Sequence, residues 1–163
     1  MKGWTRILGI GSPFGDDRVG WLAAEMVRVS AWYRSLAAAV QVESLDRPGP
    51  GLLAAMQGAS HVVLVDAMRS GEPPGTIRRV DLDRVGVSSD KLVSVHGFDL
   101  ADTLALGNAL GLLPSRLTLF AVEAKHTLAD EDLSVEVRAA LPMLVRRVQA
   151  SVAGSLAAET MPT

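Results

Sequence analysis

The chain has 163 residues, 48% of them hydrophobic and 21% charged, with a formal net charge of −2 and no cysteine. These values suit one globular domain that buries about two-thirds of its unfolded surface. They exclude disulfides, thiolate metal sites and cysteine nucleophiles, and they leave no basic excess for nucleic acid or an anionic membrane surface. No apolar run approaches the roughly 18 residues of a membrane span. The run Ile7–Ile10 is too short for the core of a secretory leader. A cytoplasmic protein is therefore expected, with a single α/β domain over residues 1–156 and a flexible C-terminal tail over 157–163.

In chain order, Arg6–Ile10 reads as a buried strand that ends in the turn residues Gly11-Ser12-Pro13-Phe14-Gly15. A helix from about Arg18 to Tyr33 follows, with Val19, Leu22, Ala23, Met26 and Val27 at helical spacing. Val40–Glu43 alternates as a strand, and Gly49-Pro50-Gly51 precedes a short helix over Leu52–Gln57. His61–Ala67 is a continuous, largely β-branched run, the pattern of a central parallel strand buried on both faces. Thr76–Val80 alternates like an edge strand, Leu100–Leu110 is helical, Leu117–Val122 is another buried strand, and Ser134–Ala153 forms the closing helix. Strands alternating with helices predict a three-layer α/β/α sandwich around a mixed, mostly parallel five-stranded sheet. Ligands of such sheets sit beyond the carboxyl ends of the strands.

Three groups stand at those ends. Asp16 and Asp17 follow the first strand, where they either cap the next helix or face a ligand; one acid suffices for a cap. A dinucleotide-binding reading of the Gly9-Ile10-Gly11 loop, with Glu43 as the ribose acid, conflicts with these two carboxylates, which would repel a pyrophosphate. Asp66 ends the central strand, either as a turn residue or pointing into the crevice. His96 lies at the start of a helix, whose N-terminal dipole favours the neutral imidazole that binds metals, although a lone histidine is more often a capping or hydrogen-bonded residue than a ligand. His61 begins a strand at the opposite end of the sheet, and His126 sits in a loop. No Gly-x-Ser-x-Gly or His-Glu-x-x-His is present. Two carboxylates and a histidine can hold one divalent metal with open positions.

Taken together, the Gly-x-Gly loop with Asp16-Asp17 and Gly20, the Val65-Asp66-Ala67 stretch, and His96 followed by Asp99-Leu100-Ala101-Asp102-Thr103-Leu104 resemble the hydrogenase maturation endopeptidases. The resemblance covers nearly the whole chain. It implies a protease that removes a C-terminal extension from the large-subunit precursor of a nickel–iron hydrogenase after nickel insertion. By that resemblance Asp17, Asp66 and His96 would bind nickel carried by the substrate, and Asp17 and Asp66 would be catalytic. Asp46, Gly49 and Gly51 would lie in the substrate-binding loop. No tightly bound organic cofactor is implied. The chain departs from the family pattern at Ser12, at the Pro48-Gly49-Pro50 loop, at Glu123-Ala124 and at Ser134-Val135. Two other readings remain open: a metal-dependent hydrolase of a small molecule, using metal-activated water, and a non-catalytic precursor-binding relative. In the leading reading the three ligands converge on one solvent-facing cleft.

Overall fold

The structure, a computed structural model, describes residues 4–82, 100–129 and 132–160. In chain order it contains β1 (Trp4–Gly11), a 3-10 turn (Gly15–Arg18), α1 (Val19–Arg28), α2 (Ala31–Leu36), β2 (Val40–Asp46), α3 (Gly51–Met56), β3 (Ala59–Met68), β4 (Ile77–Asp81), α4 (Leu100–Ala109), β5 (Arg116–Glu123) and α5 (Val135–Thr160). Among the described residues the sheet has five strands in the order β2-β1-β3-β5-β4. The first four pair in parallel, and β4 runs antiparallel to β5 at the edge. This is the mixed, mostly parallel sheet expected from the alternation of strand and helix patterns.

Period-two alternation in the strands divides the core in two. Ile7, Val63, Val65 and Phe120 pack on one face with Val19, Ala23 and Val27 of α1 and with Val137, Leu144 and Val148 of α5. Leu8, Ile10, Val62, Leu64 and Leu119 pack on the other with Leu52 and Met56 of α3 and with Leu100 and Leu104 of α4. The α/β/α layering follows. Because β3 is covered on both sides, its run Val62–Val65 is wholly buried, which is why the sequence there carries no polar alternation.

Three features differ from the sequence reading. The first helix is interrupted after Arg28, because Ser30 restarts the chain: its Oγ donates to Val27 O (2.6 Å) and accepts from Tyr33 N (3.1 Å) as the cap of α2. β2 extends to Asp46, carried three residues further by continued pairing with β1. The last helix does not end near Ala153 but runs to Thr160, so the segment expected to be a tail from residue 157 is helical that far. Its last turns are anchored by Ser155 Oγ on His61 Nδ1 (2.8 Å) and by Glu159 on Ser60 (3.2 Å). His61 is fully buried at the amino end of β3, where Nε2 lies 3.3 Å from Thr118 Oγ1. It is a core histidine, far along the strand from Asp66. Among the described residues no helix is long and apolar enough to cross a membrane.

Candidate active site

β1 continues to β2 on one side of itself, and the chain then returns to place β3 on the other. This reversal makes the crevice between the carboxyl ends of β1 and β3 the topological switch point, where ligands of doubly wound sheets bind. Two glycines let α1 close over it. A Cβ on Gly20 would lie 2.0 Å from Ile10 O and 2.6 Å from Val65 O, and one on Gly9 would lie 2.2 Å from Gly20 O. The glycines of this motif thus serve helix–strand contact, with the backbone of α1 resting directly on β1 and β3. The 3-10 turn carrying Asp16 and Asp17 lies against β3.

Asp17 and Asp66 both stand at this crevice, and each is only 3% exposed. The expectation of a solvent-facing site is corrected here: both side chains are buried. Ser12 fixes Asp17 twice, its backbone N meeting Asp17 O (3.4 Å) and its hydroxyl donating to Asp17 Oδ2. Asp66 Oδ1 accepts from Ala67 N at 2.8 Å. By strand alternation the Asp66 side chain belongs to the face of Val62 and Leu64, the face that α4 covers.

Asp16 has a different task. It supplies no side-chain cap to its own turn. Its carboxylate is fully buried and reaches across to the β5–α5 connection. Oδ1 accepts from Ser134 N (2.7 Å), and Oδ2 accepts from Lys125 N (2.8 Å), His126 N (3.2 Å) and Ser134 Oγ (2.9 Å). Ser134 in turn caps α5, its Oγ accepting from Val137 N at 3.3 Å. The residue beside Asp17 is therefore a staple joining the first loop to the start of the last helix. Burial pushes its carboxyl upward, but the bonds from Ser134, Lys125 and His126 outweigh burial and hold it below the ordinary value of 3.8.

The staple sets a pH dependence. A carboxyl depressed in the folded state stabilises fully above its unfolded value, and that stability is lost as pH falls through the folded one. Acidification below about pH 4 should therefore weaken the wild type more steeply than Asp16→Asn. At neutral pH that variant should itself be less stable. Its amide nitrogen would face donors, and each buried donor left unsatisfied costs about 1–3 kcal/mol. A loss on the order of 3 kcal/mol corresponds to a melting point lower by roughly 6–12 °C. Thermal melts at pH 7 and across the acid range measure both effects. Equal acid sensitivity of the two proteins would remove the staple.

Glu123 plays the matching part for the loop after β3. It is buried at the end of β5 and accepts from Ser70 N (2.9 Å), Ser70 Oγ (2.7 Å) and Gly71 N (3.1 Å). The sequence reading passed over it as a catalytic or binding residue. Its signal was available: an acid closing an apolar strand, as Asp66 does, paired one strand away by the register Met68↔Glu123.

The remaining expected residues divide as follows. Asp46 ends β2, half exposed, with Arg47 donating to both of its oxygens (2.6 and 3.3 Å). Arg47 N donates to Gly11 O (3.0 Å), which ties this loop to the end of β1. Nothing lies within 4 Å of a Cβ built on Gly49 or Gly51, so the loop presents an open surface. The guanidinium of Arg47 is held above its ordinary value by hydrogen bonding and charge from Asp46, with a further contribution from the charge of Asp17. His126 is half-buried against the first loop, with its carbonyl accepting from Asp16 N at 2.9 Å. His96 lies outside the described residues. Among the described residues no three His, Asp or Glu side chains form a group that could hold a metal. Asp17 thus lies in the turn that follows β1 and Asp66 near the carboxyl end of the neighbouring β3, while the loop after β2 carries Asp46, Gly49 and Gly51.

Comparison with known proteins agrees with this architecture. The fold matches a hydrogenase maturating endopeptidase, HybD, from Escherichia coli with a TM-score of 0.75 at 24% identity, covering 93% of each chain. It also matches the [NiFe] hydrogenase maturation protease HybD from Thermococcus kodakarensis with a TM-score of 0.68 at 21% identity, over 90% of this chain and 97% of that one. In sequence, 119 residues are 33% identical to the hydrogenase expression/formation protein HupD of Thiocapsa roseopersicina, spanning 72% of this chain and 52%, about half, of that relative. The family profile described as hydrogenase maturation protease matches residues 38–151. The chain therefore belongs to the hydrogenase maturation protease family.

Proposed function

We propose that this protein is an endopeptidase that removes the C-terminal extension from a nickel-loaded hydrogenase large-subunit precursor. The observation that carries the reading is the pair of buried carboxylates, Asp17 and Asp66, at the switch point of a hydrogenase maturation protease fold. Nickel enters as part of the substrate. Its two protein-side carboxylates are oriented in advance, Asp17 by Ser12 and Asp66 by the amide of Ala67. Two carboxylates supply charge and hard oxygen donors, and the imidazole of His96, the donor type that suits nickel, completes the proposed set. A precursor docked through its metal would bring the adjoining chain over the open Gly49–Gly51 loop in a fixed register, which supplies much of the advantage of an oriented reaction. Asp17 or Asp66 then serves as base for the attacking water. A cytoplasmic location, with no nucleic acid or membrane partner, goes with this reading, as does the lack of cysteine in the chain.

The test is conversion of purified precursor, with and without nickel, followed as a mass shift. Cleavage of the loaded form alone is expected, because without the cation nothing neutralises the two carboxylates or holds the register. Equal cleavage of both forms would sink nickel gating. Zinc bound stoichiometrically through dialysis against chelator, with turnover of a small soluble substrate, would favour the ordinary metal hydrolase. Binding of precursor without cleavage would identify a non-catalytic relative.

A further inference from the structure

Among the described residues Arg47 is the one non-glycine with a positive φ, at 41°. Contact between Cβ and the carbonyl disfavours that conformation, and the following Pro48 restricts it further. Burial does not hold it there, since its side chain is 52% exposed. A glycine would relieve the backbone, so stability does not account for an arginine. Strained residues of this kind cluster at functional sites.

The guanidinium lies beside the first loop. Its Cζ stands 5.7 Å from the centroid of the Phe14 ring, and its nitrogens hold both oxygens of Asp46. Arg47 N is bonded to Gly11 O, and the next residue, Ser12, is bonded to Asp17 through backbone and hydroxyl. One two-residue turn therefore carries Arg47 on one side and Asp17 on the other.

We propose that Arg47 is a counter-ion shared by Asp46 and Asp17 that keeps this acidic rim from collecting free divalent cations, so that the site answers to a cation only when a protein substrate presents it. The inference rests on the reading of Asp17 as a cation-facing residue. A hydrated ion approaching alone meets a positive charge within the screening length of about 10 Å at 0.1 M salt. A cation carried on a protein arrives with the added contacts of docking. The exposed pair with Asp46 is weak enough for the arginine to swing aside at that moment.

The experiment is calorimetric titration of the purified chain with nickel chloride alone. At about 50 mM salt Arg47→Gln and Arg47→Gly should each bind Ni²⁺ about 5–10-fold more tightly than wild type, and at about 0.5 M salt the difference should shrink to within about twofold. Asp46→Asn, which leaves the guanidinium to Asp17, should bind more weakly. The glycine variant keeps the test sound if glutamine disturbs the loop, and thermal melts verify both. Unchanged or weaker affinity in both Arg47 variants, a gain that ignores salt, or no detectable binding by any form overturns the proposal. These titrations decide the role of Arg47 without cleavage. A wild-type chain that fails to process loaded precursor would instead overturn the endopeptidase reading.

Discussion

Asp66→Asn is expected to lower the rate of precursor processing by about 10²-fold or more while leaving the protein folded. The substitution keeps the shape of the side chain. The asparagine oxygen can still accept from Ala67 N, the bond that orients Asp66. What disappears is a negative charge held at 3% exposure. Activity and stability should therefore separate, which a purely structural aspartate would not allow. Asp17→Asn should behave alike, because the amide oxygen can still accept from the Ser12 hydroxyl. Mass-resolved processing assays set beside thermal melts measure both quantities. Unchanged cleavage by Asp66→Asn would end the site assignment.

Gly20→Ala is expected to fail in the opposite way, by losing the fold around the crevice. Alanine is favoured over glycine inside a helix by about 1 kcal/mol. That gain is outweighed here. The added methyl would sit 2.0 Å from Ile10 O and 2.6 Å from Val65 O, two backbone carbonyls fixed by the parallel ladder. Neither can rotate aside, so α1 must lift off β1 and β3. Overpacking costs about 1–3 kcal/mol where side chains can adjust and more where they cannot. A net loss of at least about 2 kcal/mol, or roughly 4–8 °C in melting point, should accompany loss of processing, since Asp17 lies three residues before Gly20. A variant as stable as wild type would show that the start of α1 can shift freely over the strands.

The two experiments touch different parts of one design. Carboxylates that face the crevice are supported by carboxylates that do not: Asp16 ties the first loop to α5, and Glu123 ties the loop after β3 to β5. β5 and its following loop thus brace both sides of the crevice, although no expected site residue lies on β5.

What the sequence determined by itself was the order and type of the elements, the parallel central strands and the placing of Asp17 and Asp66 at strand ends. These are carried by local signals. An unbroken run such as Val62–Val65 tolerates no water on either face, and an acid that ends such a run has only the strand's carboxyl end to occupy. Where the resemblance added a metal triad, two members lie near the carboxyl ends of the neighbouring strands β1 and β3, and His96 lies outside the described residues. Tertiary structure alone decided which of two adjacent acids is a staple. Asp16 and Asp17 have the same chemistry, and their partners, Ser134 and Ser12, differ in which segment folds over them. It also decided that Asp17 and Asp66 are buried, that the first helix restarts at Ser30, and that α5 runs on to Thr160. Each depends on contacts between residues distant in sequence or on a cap competing with helix continuation, and neither leaves a periodic trace along the chain.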